Sequence, residues 1–412
     1  MALERALSPR LYSSARKSPV EYMRWQYRTT VLGLCLLAFF VTYFARMAIS
    51  PVVPFIVEDF AVSNTAIGIA LTGMWLAYGL SQFPSGVLSD RYGEKPVILV
   101  AVGGTVIASV LLAFSPVFAA FVVFAVLLGS VAGLHYAVAT TLLSRTYDEL
   151  GRAVGIHSIG GPLAGLVAPV AAAWVGVRFG WRPALALTLV VGVPVFVLFA
   201  WRIRPTEPRR PDQPMRDRFD LAVLFDLVSR PAVAFTLAIA MLGTFIVQGL
   251  LTFLPTFLVE HHRYSATLAG TAFSAFFLVR TVGQFAVGDL SDRYGRDLVI
   301  GASLFAGSVG LFGLVAGGGR VAVGVSVLAA GLGSSFFAAI DPRFLDQFGD
   351  AERGAGFGLV RTCYTVVGSA GSVGVGLLAD LFGWAAAFLV LGGLFSVTFL
   401  ALLVNWAFGL GY

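Results

Sequence analysis

The chain has 412 residues, of which 58% are hydrophobic and 12% charged. Soluble domains carry about 25% charged residues, so half that density excludes an ordinary soluble enzyme, and the wealth of apolar side chains excludes a disordered chain. The formal charge of +6 suggests a nucleic-acid partner only until the basic residues are located along the sequence.

The opening stretch MALERALSPRLYSSARK has no apolar core followed by a small-residue cleavage site, so it reads as a tail and not as a removable signal peptide. A bilayer-spanning helix needs about 20 mostly apolar residues, because the hydrocarbon is ~30 Å thick and a helix rises 1.5 Å per residue. Twelve such runs begin near Thr30, Thr65, Pro96, Val117, Arg152 and Pro183, then near Ala232, Ala266, Leu298, Val321, Arg353 and Ala385. Between the sixth and seventh lies RIRPTEPRRPDQPMRDR, rich in Pro and Arg, which reads as a linker. The predicted class is an all-α membrane protein whose twelve transmembrane helices form two six-helix bundles. Its parts are a cytoplasmic tail (1–29), a first bundle (30–201), a cytoplasmic linker (202–231), a second bundle (232–408) and a short tail (409–412). Cys35 and Cys363 each sit inside an apolar run, where a lone thiol behaves as a small hydrophobe, so no disulfide scaffold is expected.

Lys and Arg accumulate in loops left in the cytoplasm. Twenty of the 28 basic residues fall in the first tail, the linker and the loops at Arg91, Lys95, Arg145, Arg152, Arg293, Arg296 and Arg353. The opposite loops hold Arg178, Arg182, Arg263 and Arg320. This bias and the even number of spans predict a multi-pass protein of the cell membrane with both termini cytoplasmic. The positive charge is then topological, and nucleic acid drops out as a partner.

Self-comparison reveals a duplication. Residues 86–93 read GVLSDRYG and residues 288–295 read GDLSDRYG; Gly180-Trp181 recurs as Gly383-Trp384, and Gly155 as Gly358. Gly86 and Gly288 would permit close helix approach. Asp90 and Asp292 would attract a helix N-terminus or a neighbouring Arg, and Arg91 and Arg293 would sit at the headgroups, with Gly93 and Gly295 closing the loops. A G-x-L-S-D-R-x-G loop between the second and third spans, repeated between the eighth and ninth, resembles the major facilitator superfamily of secondary transporters. The resemblance covers about Thr30 to Phe408. It implies parallel halves with binding near the midplane between them, and loops that latch one half against the other during alternating access.

An ionisable side chain in hydrocarbon costs ~2.5 to 3.5 kcal/mol on insertion scales, so each one requires an explanation. Arg46 lies well inside the first span; Arg280 and Arg361, in the eighth and eleventh, lie ~12 Å from the cytoplasmic ends of their helices. Against them stands one clear intramembrane carboxylate, Asp341, so the cavity favours an anion. Guanidinium offers a planar fork that matches carboxylate or phosphate. The bland alternative for Arg46 and Arg361 is a bond to backbone carbonyls at a broken helix. In the duplicated frame Arg280 corresponds to Tyr78 and Arg46 to Gln248, so the charges were not copied. Tyr43 and Tyr364 fall three positions from Arg46 and Arg361, on the same helix face. These seven residues are the candidate substrate site. Asp341, His135 and His157 are candidates for proton coupling, and for each a structural role stands as the alternative: a satisfied histidine, or an Asp341 paired with Arg343 or Arg361.

The stretch YFARMAISPVVPFI is similar to the first span of the anion:cation symporters, with Ala45 where those proteins carry Asp before the Arg, and with His135 as the only ionisable residue inside the fourth span. Arg280 with Arg361 resembles the oxalate:formate antiporters and monocarboxylate transporters. There is no G-x-x-x-x-G-K-[ST] phosphate loop and no metal-ligand spacing, so neither ATP, a cofactor nor a metal is expected. The expectation is a secondary active transporter, not an enzyme, that moves a small organic anion by proton symport or anion exchange and works as a monomer in the bilayer. An inorganic or phosphorylated anion, a drug exporter and a non-transporting membrane receptor are the alternatives.

Overall fold

The computed structural model describes residues 19–147, 149–208, 229–349 and 353–412. The apolar runs fold as helices because hydrocarbon offers no water to a bare amide, so each span must satisfy its own backbone. In the first half, α1 (Pro19–Met47) and α2 (Val53–Phe60), joined by a 3-10 turn at Ser50–Val52, make the first span. The second and third spans are α3 (Asn64–Tyr92) and α4 (Glu94–Ala113). The fourth is α5 (Phe118–Gly133) with α6 (His135–Thr146), the fifth α7 (Leu150–Ser158) with α8 (Gly160–Phe179), and the sixth α9 (Trp181–Arg202). The second half runs through α10 (Pro231–Glu260), α11 (Ala266–Tyr294), α12 (Arg296–Ala316), α13 (Arg320–Gly333), α14 (Phe337–Gln347), α15 (Arg353–Ser369) and α16 (Gly371–Ala407).

Among the described residues ten helical stretches are long and apolar enough to cross a bilayer, and the bent α3 makes eleven. The last stretch, Gly356–Ala407, has 52 residues; straight, it would reach ~78 Å, more than twice the hydrocarbon thickness. Gly383, at φ 82°, breaks it into the eleventh and twelfth spans. The helix of the first span starts at Pro19, ahead of the boundary expected at Thr30, because EYMRWQYR contains neither Gly nor Pro to stop it.

The duplication extends to backbone detail. Ala61 and Arg263, 202 positions apart, are the two non-glycine residues with positive φ among the described residues, at 50° and 57°. Two residues on, Ser63 and Ser265 cap α3 and α11, accepting from Ala66 N and Leu268 N at 3.1 and 3.3 Å. Gly93 and Gly295 end the SDRYG helices at φ 83° and 93°, and Gly180 matches Gly383 at 88° and 82°. Of the repeated glycines visible in the sequence, Gly93, Gly295, Gly180 and Gly383 are therefore helix terminators, while Gly86, Gly288, Gly155 and Gly358 lie inside helices.

Packing within the halves repeats as well. A Cβ built on Gly129 would lie 1.9 Å from Met74 O, and one on its equivalent Gly331 would lie 2.7 Å from Phe276 O, the equivalent of Met74. The outer charges are repeated with inverted sign: Glu94 meets Arg145 at 2.8 Å, while Arg296, at the position matching Glu94, meets Asp346 at 3.2 Å. The linker begins by docking on the first half, where Thr206 Oγ1 accepts from Glu94 N (2.7 Å) and Lys95 N (3.2 Å) and Glu207 O accepts from Arg145 (3.0 Å).

Overpacking against a backbone carbonyl costs about 1–3 kcal/mol. Gly129→Ala and Gly331→Ala should therefore each lower the Tm of the purified protein, whereas Gly86→Ala, with nothing within 4 Å of its Cβ, should leave it unchanged. A thermal melt of the three variants checks this.

Candidate functional site

The halves meet at the end of the molecule remote from the linker. Ser50 Oγ donates to Thr252 O at 2.7 Å; these residues are 202 positions apart, so the contact lies on the pseudo-twofold axis. Thr252 in turn bonds Ser372, Oγ1 to Oγ, at 2.7 Å. Thr72 Oγ1 donates to Ser369 O and accepts from Val373 N. Asp380, near the end of the eleventh span, caps α3 of the other half, accepting from the backbone and side chains of Asn64 and Thr65 at 2.6–3.2 Å. Small residues allow this closeness: Cβ atoms on Gly68 and Gly376 would strike Ser372 O and Asn64 O at 2.6 and 2.4 Å.

The linker end is open. Cβ atoms on Gly86, Gly155, Gly288 and Gly358 would meet nothing within 4 Å. The close approach expected at Gly86 and Gly288 is thus not made in this conformation, because the halves splay apart where these glycines lie. In the second loop Arg293 holds Asp289 at 2.9 Å and Arg296 bonds Asp292; in the first, Arg91 lies 5.6 Å from the Tyr92 ring centre.

Arg46 is 2% exposed. It occupies the last turn of α1, just before the 3-10 break, and its Nε donates to Thr42 O at 3.1 Å. Its guanidinium carbon lies 5.0, 4.9 and 3.9 Å from the ring centres of Tyr43, Trp75 and Tyr78. A cation facing π clouds gains about 0.5–2 kcal/mol per contact. Yet Nη1 and Nη2 are buried without a hydrogen-bond partner, and among the described residues no carboxylate meets them. The backbone bond to Thr42 occupies Nε alone, so it leaves the outer fork free.

The second half supplies the facing wall. Arg361 lies 5.9 Å from the Tyr136 ring centre and within electrostatic reach of Tyr364, Asp341 and Tyr78. Tyr78 thus lies between two arginines from opposite halves. Asp341 accepts from Tyr364 Oη at 3.2 Å. Arg343 turns away, held at 2.6 Å by Asp297 and at 2.6 Å by Tyr412 O, so the pairing it could have offered Asp341 is absent. Arg280 is half-buried, its Nε without a partner, and its carbonyl accepts from Ser335 at 3.1 Å. Phe277, one turn before it, packs edge-on against Tyr43 at 6.2 Å and links Arg280 to the Arg46 wall. Gln248, the counterpart of Arg46, is buried at 6% exposure.

His135 and His157 both flank breaks, between α5 and α6 and between α7 and α8. They are 0% exposed, with ring centres 5.4 Å apart. Phe39 packs on both, at 6.0 and 5.2 Å, and the Tyr136 ring is 5.4 Å from His157.

Sequence reasoning did not find Trp75, Tyr136, Phe39 or Asp380. For Trp75 a signal existed, since it falls three positions before Tyr78 on the same face of α3; the other three act on partners far away in the chain. A separate cavity of about 850 Å³ opens at the linker end of the second half, against Trp406, Arg296 and Arg343. Both arginines there are already paired with aspartates.

The sequence profile described as the Major Facilitator Superfamily matches residues 35–279 and 258–409. The chain belongs to that superfamily, and it is a multi-pass membrane transporter, not an enzyme. It is 25% identical over 389 residues to a hexuronate transporter of Bacillus subtilis (strain 168), covering 88% of this chain and 91% of that protein. A probable sulfoacetate transporter of Cupriavidus necator is 26% identical over 400 residues, covering 91% and 93%. Among solved structures, a bacterial homolog of the human lysosomal transporter Spinster, inward-facing and occupied, has the same fold, with a TM-score of 0.76 at 17% identity over 93% of this chain and 96% of that one.

A buried guanidinium without a counter-charge destabilises the empty protein. Arg46→Met should therefore raise the Tm of the ligand-free protein while abolishing transport. A Tm that falls would mean that the aromatic box already compensates the charge.

Proposed function

We propose that this transporter carries a small organic anion, a carboxylate, by alternating access, driven by proton symport or by exchange for another anion. The observation that carries the reading is the pair of buried, unpartnered Arg46 nitrogens. A carboxylate supplies two acceptor oxygens in the plane of that fork, and its charge offsets the desolvation of the arginine. Arg280 and Arg361 bring the same chemistry from the other half, so the anion bridges the bundles; Tyr43, Tyr78, Gln248 and Tyr364 line its seat. The relatives named for hexuronate and sulfoacetate support this, since both solutes are carboxylates.

In this reading the linker end is cytoplasmic, with both termini on that side, and the chamber faces inward. The concentration of basic residues at that end supports the orientation. The loops at Gly86–Gly93 and Gly288–Gly295 close against the opposite half when the chamber turns outward. One chain contains both walls of the chamber, which supports a functional monomer.

The first test is a thermal-shift screen of the purified protein against D-glucuronate, sulfoacetate, short mono-, di- and tricarboxylates, nitrate and sugar phosphates. A carboxylate should raise the Tm; a rise confined to phosphate esters or nitrate would replace the proposed substrate class. Arg280→Lys keeps the charge and loses the fork. It should reduce uptake of the labelled anion into proteoliposomes by at least about tenfold, a loss of roughly 1.4 kcal/mol, with the Tm unchanged. Undiminished uptake would remove Arg280 from the site.

A further inference from the structure

Two imidazoles face each other in the interior of the first half, one layer behind the chamber wall. His135 and His157 are fully enclosed, and none of their four ring nitrogens meets a partner in hydrogen-bond geometry. A satisfied structural histidine uses at least one nitrogen, and two adjacent ones would share a bond. Here the apolar ring of Phe39 is laid across both instead.

The surroundings are specific. On α1 the Cys35 backbone is close enough to favour the protonated form of both rings, although no ring nitrogen meets it in hydrogen-bond geometry, and Arg46 lies within electrostatic reach of His135. Tyr43, also on α1, packs on Phe39 at 5.9 Å. On α6, Tyr136 stands beside His157, and its hydroxyl bonds Ser158 Oγ at 3.1 Å. Tyr136 and Ser158 are only half-buried, so this pair of hydroxyls is the accessible polar group next to the enclosed imidazoles. Beyond Tyr136 stands Arg361 of α15, and Tyr78 of α3 completes the ring of titratable groups. The charged neighbours are thus both cationic, Arg46 directly and Arg361 through Tyr136.

We infer that His135 and His157 together hold the single proton of a proton–anion symport, and that the anion at Arg46 is the condition for its binding. The inference rests on the reading of Arg46 as the anion site. A proton arrives from chamber water by way of Tyr136 and Ser158 and binds one imidazole nitrogen. Ring rotation at this separation brings a nitrogen of the second imidazole within hydrogen-bond reach, ~3 Å, so the two rings share the proton. With Arg46 uncompensated, an imidazolium beside it meets an unscreened positive charge. A carboxylate on Arg46 removes that repulsion, and by linkage the proton improves the seat of the carboxylate to the same degree. This distinguishes symport from exchange, and it places the proton on imidazoles instead of on Asp341, whose carboxylate already accepts from Tyr364.

The test measures protons as well as ligand. The full-length protein in weakly buffered detergent solution, with a pH indicator, is titrated with D-glucuronate and with sulfoacetate, and anion binding is followed separately by calorimetry. Wild-type protein should take up about one proton for each anion bound, with an apparent Kd that changes about tenfold per pH unit over the range in which that proton binds. His135→Gln and His157→Gln should each bind the anion with no proton uptake and a Kd independent of pH. Because the wild-type stoichiometry needs no variant, the inference stays open to refutation even if a substitution misfolds. Binding without proton uptake by wild-type protein overturns it, and so does uptake that persists in both glutamine variants. Failure of these two anions and of every other carboxylate in the thermal-shift series to bind would instead overturn the carboxylate reading, and this inference with it.

Discussion

A guanidinium inside a membrane bundle is tolerated only where its charge is met, and at Arg46 that condition is half fulfilled. Three aromatic rings and one backbone carbonyl hold the side chain in place. They fix its direction without neutralising it, and the two outer nitrogens are left buried and bare. Aromatic faces suit this task because they stabilise a cation without competing for the donors that the proposed solute would use. The helix break at Ser50–Val52, just past Arg46, and the contact of Ser50 with Thr252 put this incomplete site beside the axis relating the halves.

Charge is where the two halves diverge. Their backbones are punctuated alike, at Ala61 and Arg263, Ser63 and Ser265, Gly93 and Gly295, Gly180 and Gly383. Yet Arg46 stands opposite Gln248 and Tyr78 opposite Arg280, so each half brings its arginines to different helices. A solute with acceptor oxygens can then bridge the halves, which a symmetric pair of identical sites would not require. At the remote end, Asp380 joins the halves through hydrogen bonds to Asn64 and Thr65 at the start of α3. Such bonds, few and solvent-accessible, suit an interface that must open.

The linker end carries a different load. Fixed ion pairs such as Arg145 with Glu94, and Arg343 with Asp297, stay inside one half and leave the halves free to separate. Thr206 holds the start of the linker on α4 beside the first SDRYG loop, so the connection between the halves is anchored on the first half at their open end.

The sequence alone determined the spans, the duplication and the intramembrane arginines, because each is written locally: apolar length, a repeated octapeptide, a charge where hydrocarbon should be. It also placed Tyr43 and Tyr364 beside their arginines, since a three-residue spacing on a helix fixes a shared face. It left open in which conformation Gly86 and Gly288 have neighbours, because which end of a two-bundle protein is closed is a property of the assembled halves and not of a loop. Only tertiary structure decided that Trp75 and Tyr78 roof Arg46, that Arg343 abandons Asp341 for Asp297, and that His135 and His157 meet. Those contacts join helices many residues apart, and the angles at which helices cross and break depend on the packing of the whole bundle, which no local pattern encodes.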